Sequence, residues 1–169
     1  MADDNHNRRD NSQANHVHQY ATFYVDHLFC GIEVLRVQEV LRPQQMTRVP
    51  LAPAMIEGLI NLRGQIVTAL DMRRRLRLPE RAATEAPMNL VVRGEGRAVS
   101  LLVDDIGDVV EIHGGTFEEP PQTLPLAQRT AIKGIHKLDG RLLVVLDTDR
   151  ILQLDEIGQP PAVNGLDGI

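Results

Sequence analysis

At 169 residues the chain has room for one domain, or for two small lobes that share a core. Its net charge of −5 speaks against a general nucleic-acid binder, which needs many phosphate-neutralising Lys and Arg side chains. Aromatic residues make up 3% with no Trp, so the core must come from Val, Leu and Ile, which in short runs favour strands. One cysteine, Cys30, rules out an internal disulfide and a thiolate metal cluster; within Leu28-Phe29-Cys30 it is expected to be buried.

Residues 1–18 are a polar leader with little to bury, expected to be disordered. The start lacks an apolar signal core, and no run approaches the roughly 20 apolar residues of a membrane span. A cytoplasmic, soluble protein without membrane insertion is therefore expected. From Gln19 the pattern becomes strand: Tyr20 to Val25, a turn at Asp26-His27, and a return over Leu28 to Val34. The run from Val34 to Leu41 places apolar residues at 34, 37, 40 and 41, which fits a short helix or a bulged strand. Pro43 ends it, and Val49-Pro50-Leu51-Ala52-Pro53 crosses over in extended form. A helical turn is expected over Ala54 to Leu59.

The stretch that organises the chain runs from Ile56 to Leu76: a tight turn centred on Arg63-Gly64, an apolar strand, then Asp71 opening a short basic helix. A cousin lies 76 positions later, from Ile132 to Leu152, with Gly58/Gly134, Leu62/Leu138, Gly64/Gly140, Leu70/Leu146, Asp71/Asp147 and Arg74/Arg150 among the identical pairs. Earlier, Gly31 to Leu41 aligns with Ser100 to Val110 at an offset of 69, setting Val103 on Val34, Ile106 on Val37 and Asp108 on Glu39. The difference between the offsets 69 and 76 is a seven-residue insertion, expected in the polar loop Gly114 to Arg129. The halves are thus 19–78 and 88–154, joined by a Pro-bracketed connector at 79–87, with a flexible tail at 155–169. In the second half Asn89 to Val92 and Ala98 to Val103 form a hairpin around Arg93-Gly94-Glu95-Gly96. Many short strands with Gly and Pro turns point to small barrels.

Catalytic chemistry finds little support. Ser100 lies inside an apolar strand, and no nucleophile elbow is present. His27, His113 and His136 lack ligand spacing and are expected at surface or turn positions; His16 and His18 have no further ligand nearby, so no metal is expected. Asp104 and Asp105, adjacent in a strand, point to opposite faces. Asp71 and Asp147 read as helix N-caps, and Arg73 to Arg77 as a solvated helix face. Arg63 has Asp139 as its counterpart, so the turn does not require Arg there; either a partner contact or a solvated loop fits it.

The block I-E-G-L-I-N-L-R-G-Q-I-V-T-A-L-D-M-R-R-R-L resembles the signature of the CheW family of bacterial chemotaxis coupling proteins. F-C-G-I-E-V-L-R-V-Q-E-V-L, L-L-V-D-D-I-G-D-V-V-E-I and G-I-H-K-L-D-G-R-L-L-V-V-L-D are similar to other parts of that family, over about residues 18–154. One departure is Thr68, where the family often has Pro. The resemblance implies a mainly β fold of two SH3-like five-stranded barrels around a shared core, with few short helices, no enzymatic activity and no cofactor. It also implies a scaffold linking the cytoplasmic tips of methyl-accepting chemoreceptors to the regulatory domain of the histidine kinase CheA, with further copies of the chain as additional partners. By position it places receptor contacts at Val34, Val37, Glu39, Asn61, Leu62, Arg63, Val103 and Ile106; candidates for the kinase side are strand ends and turns such as Gly58, Gly134 and Asp139, which a purely structural role fits as well. Two alternatives are a coupling protein of a pilus or other non-flagellar pathway, and a hydrolase built on Asp71, Asp147 and the 104–105 pair.

Overall fold

A computed structural model of the chain describes residues 16–115 and 117–153. Most of the leader and all of the tail proposed above lie outside the described residues. The first hairpin is β1 (Val17–Val25) and β2 (Leu28–Glu33), turning at Asp26, whose φ of 53° lies in the left-handed region. Val17 and His18 already belong to β1, two residues inside the segment read as leader. The helical spacing after Val34 is a single 3-10 turn, Val34–Arg36, and the run continues as β3 (Val37–Leu41).

No helical turn forms over Ala54 to Leu59. Instead β4 (Ile56–Leu62) starts there, because its backbone pairs with β5 (Gln65–Asp71) on one side while Leu59 bridges Thr47 on the other. Asp71 then caps α1 (Met72–Arg75), accepting hydrogen bonds from the backbone N–H groups of Arg73 and Arg74. The second half contributes β6 (Met88–Arg93), β7 (Ala98–Val103), β8 (Asp105–His113), β9 (Phe117–Glu118) and α2 (Leu126–Ala131). It ends with β10 (Ile132–Leu138), β11 (Arg141–Leu146) and α3 (Thr148–Leu152), which Asp147 caps.

The strands form a six-stranded sheet in the order β8-β1-β2-β11-β10-β9 and a five-stranded sheet in the order β3-β6-β7-β5-β4. Neither sheet is one half of the sequence. Each takes its first hairpin from one copy and its remaining strands from the other, so the halves exchange hairpins. The duplication extends to register. Parallel pairing sets Val144 against Cys30 and Val145 against Gly31 in one sheet, and Thr68 against Val99 and Ala69 against Ser100 in the other. Those pairs superpose at the offsets 69 and 76. Val37 faces Val92 as Ile106 faces Phe23, and the bulges at Ile56/Gly58 and Ile132/Gly134 also match. The extra strand β9 lies in the insertion, which explains the sixth member of the larger sheet.

The main core joins the two sheets. It packs Phe23, Val25, Cys30 and Ile32 against Leu70, Leu90, Val92, Leu101 and Val103, with Met72, Leu76, Ile151 and Leu152 from the helices. Each fully buried aliphatic or aromatic side chain contributes about 1.5–3 kcal/mol, so neither sheet can shed the other cheaply. A smaller cluster belongs to each sheet: Tyr20, Phe29, Ile112, Leu143 and Val145 in one, Ile60, Ala69 and Leu102 in the other. Cys30 is buried as expected, and burial pushes its thiol far up, which keeps it unreactive.

Two expectations fail here for identifiable reasons. The basic run at α1 is not a solvated face. Arg73 binds Asp104 through Nε at 3.0 Å and Nη2 at 2.8 Å, Arg74 binds Glu57 at 2.8 Å, and Arg75 is 3% exposed. Arg81 from the connector reaches the same Asp104 at 2.8 Å, and the backbone N–H of Asp26 donates to it at 2.6 Å. His136 is buried rather than at the surface. It shares the inward face of β10 with Ile132 and Gly134, 3.4 Å from the Tyr20 hydroxyl and against the Phe117 ring.

Candidate partner-docking site

The β4–β5 turn is built by two successive left-handed residues, Arg63 at φ 53° and Gly64 at φ 84°, the geometry that suits a two-residue hairpin. Arg in that region is strained, and the strain is held locally: the Asn61 side-chain oxygen accepts the Gly64 N–H at 2.9 Å. The second copy has Lys137 and Asp139 at these positions, and Asp139 is not left-handed. The first tip therefore has its own backbone shape, with Asn61 as the residue that fixes it.

Arg63 extends from this tip with its side chain 85% exposed and Nη2 3.2 Å from Oε2 of Glu39. Glu39 lies on β3 and Arg63 follows β4, and these strands are the two edges of the five-stranded sheet. The ion pair thus bridges edge to edge, which requires the sheet to curl. At the matching place in the other sheet stand Asp108 and Asp139, two carboxylates, so the bridge has no counterpart. Along β3, Val37, Glu39 and Leu41 share the half-buried face while Gln38 and Val40 point out.

The structure brings Glu39, Asn61, Leu62 and Arg63 together at one end of the five-stranded sheet. Leu62 is half-buried against Ile60, Ala69 and Leu102. Val34 and Val37 precede Glu39 on the same edge and are half-buried, Val37 against the main core. Ile106 holds the equivalent edge position in the other sheet and leans on the same main core. Val103 does not belong in a contact surface. Strand β7 is covered on both faces, and Val103 is 0% exposed.

Two of the kinase candidates are likewise enclosed. A side chain on Gly58 would meet the Thr47 carbonyl oxygen at 2.6 Å, and one on Gly134 would run into the Phe117 ring. Both glycines permit close packing and offer no surface. Asp139 is exposed on the β10–β11 turn. Exposed apolar residues that sequence patterning overlooked occur in matching pairs: Val40 with Val109, and Ile66 with Leu142. Their recurrence at offsets 69 and 76 was the available signal.

The carboxylates considered for catalysis are engaged in structure. Asp71 and Asp147 cap helices, and Asp104 neutralises two arginines. Burial pushes the Asp104 carboxyl up, yet Arg73, the Asp26 N–H and Arg81 together hold it below the usual carboxylate range. Among the described residues no three His, Cys, Asp or Glu side chains gather to hold a metal ion.

A family model described as the CheW-like domain matches residues 19–156. The chain belongs to the CheW-like family. The chemotaxis protein CheW of Bacillus subtilis (strain 168) is 32% identical over 122 residues, covering 72% of this chain and 78% of that protein. The chemotaxis protein CheW of Klebsiella aerogenes is 28% identical over 127 residues, covering 75% and 76%. In fold the chain is similar to the crystal structure of the scaffolding protein TtCheW from Thermoanaerobacter tengcongensis, with a TM-score of 0.74 at 24% identity over 83% of this chain and 95% of that one. The mainly β architecture read from the sequence is thus that of the CheW-like family, and the Arg63 tip lies within the matched residues.

Proposed function

We propose that this CheW-like chain is a non-enzymatic adaptor that couples methyl-accepting chemoreceptors to a CheA-type histidine kinase in a bacterial chemosensory array. Membership of the family makes it a chemotaxis coupling protein; the two named partners are the finer step. The observation that carries this step is the Arg63 tip. A strained, 85% exposed Arg sits on a turn that Asn61 pins at Gly64 and pairs with Glu39, while the duplicate copy turns at the same place with a different backbone shape and none of these residues. Folding alone does not call for that arrangement.

In this reading the receptor helix lies along Val34, Val37 and Leu62, with Glu39 and Arg63 setting its register at the rim. Ile106 extends the surface into the second sheet. Asp139 is the exposed candidate for the kinase regulatory domain, and further copies of the chain are its neighbours in the array. The chain would act at the cytoplasmic face of the membrane; no helix among the described residues is long and apolar enough to cross it.

A pull-down with the tagged full chain from a lysate of its own cells tests the proposal. Co-purification of a receptor tail and a CheA-type kinase is expected, with Arg63→Ala losing the receptor. Recovery of neither partner from the unsubstituted chain overturns it.

A further inference from the structure

Away from the Arg63 tip, a cavity of about 790 Å³ opens between α1, α2 and α3, lined by Met55, Arg75, Arg77, Leu126 and Arg150 among others. Its basic residues are not equivalent. Arg74 is already neutralised by Glu57 and Glu80, and Arg150 lies 3.7 Å from Asp147. Arg75 and Arg77 have no carboxylate within ion-pair distance among the described residues. Arg75 is the more telling of the two. It is 3% exposed; among the described residues its Nη1 and Nη2 reach only the Ala127 and Arg150 carbonyls at 3.3 Å, and its Nε has no acceptor.

A buried guanidinium without an anion is costly, so its presence calls for a reason. The internal repeat shows that the fold does not supply one. At the offset of 76, Arg75 corresponds to Ile151, which is fully buried at the same place on α3. One copy thus fills the position with an aliphatic side chain while the other places a charge there. Burial pushes the Arg75 guanidinium down from its usual range, the direction an incoming anion would reverse. Beside it Leu126 is 65% exposed, giving the cavity an apolar wall that nothing in the described residues covers.

The geometry points to a binding site for a small organic anion, a carboxylate or phosphate carried on an apolar body, with Arg75 and Arg77 holding the charged end. The apolar part lies on Met55 and Leu126. The volume falls in the range of ordinary small-ligand cavities, about 300–1,000 Å³. Guanidinium groups suit both headgroups through paired N–H donors. The site is independent of the adaptor role proposed above.

Nitrogen-15 NMR of the full 169-residue protein tests it with four probes: hexanoate, hexyl phosphate, hexylammonium and inorganic phosphate. At least one of the two alkyl anions is expected to shift the amides of α1, α2 and α3 saturably, and comparison of the two identifies the preferred headgroup. Hexylammonium should leave those amides in place, and inorganic phosphate should bind more weakly. Arg75→Met is expected to weaken binding by about tenfold or more, the scale of one lost charge-assisted hydrogen bond, while keeping the melting temperature. Should Arg75→Met fail to fold, Arg77→Ala and Leu126→Ser, both at exposed positions, carry the test by weakening the same probe. The inference is overturned if neither alkyl anion binds, if hexylammonium matches them, if inorganic phosphate alone binds as well, or if the folded variants retain full affinity.

Discussion

The guanidinium of Arg63 on the β4–β5 turn lies 3.2 Å from the carboxylate of Glu39 on β3, joining the two edge strands of the five-stranded sheet. The pair lies at the surface, where water screens it and Arg63 remains largely free. Its contribution to stability is therefore small, within about 1 kcal/mol. Arg63→Ala should leave the urea unfolding midpoint nearly unchanged. A large loss of stability would show that the tip is architecture after all.

Asp104 is the opposite case. It accepts from Arg73, Arg81 and the Asp26 backbone, with a side chain 18% exposed. Asp104→Asn leaves two partly buried guanidiniums short of their counter-charge and should cost about 3 kcal/mol by urea denaturation. Its carboxyl is held below the usual range in the folded chain. The stabilisation is thus fully present above the ordinary Asp value of about 3.9 and is lost as pH falls through the lower folded value. Acid unfolding curves should show that loss in the unsubstituted protein and a shallower dependence in Asp104→Asn.

The two equivalent glycines should respond unequally. Gly58 abuts the Thr47 carbonyl, which is fixed by its backbone bridge to Leu59, whereas Gly134 abuts the ring of Phe117, itself 46% exposed. A ring at the surface can swing away; a paired backbone cannot. Gly58→Ala is expected to lower stability by about 2–3 kcal/mol and Gly134→Ala by less than about 1 kcal/mol, measured by chemical denaturation. Equal costs would mean that Phe117 is as firmly held as the Thr47 backbone.

Much of this fold is legible in the residues because the chain states its plan twice. The caps at Asp71 and Asp147, the Arg63-Gly64 turn and the insertion all follow from comparing the copies. The exchange of hairpins does not, since a repeat shows which units recur and not which strands pair. Val103 takes its place in the contact surface from the family resemblance and its alignment with Val34, but Val34 lies in a 3-10 turn while Val103 ends a strand covered on both faces, so the two positions are not equally open. His136 was readable: two-residue periodicity from Ile132 and Gly134 sets it inward. Arg75 was hidden inside a run of arginines, and only its match with the buried Ile151 distinguishes it.

Coupling of receptor to kinase through the Arg63 tip can be reconstituted from purified parts. Its most direct test combines the purified chain, vesicle-bound receptor cytoplasmic fragments and the CheA-type kinase, with kinase autophosphorylation from ATP as the readout. The chain is expected to raise the rate several-fold over receptor and kinase alone, and folded Arg63→Ala to leave it near the unstimulated level. No stimulation by the unsubstituted chain, or full stimulation by Arg63→Ala, would contradict it.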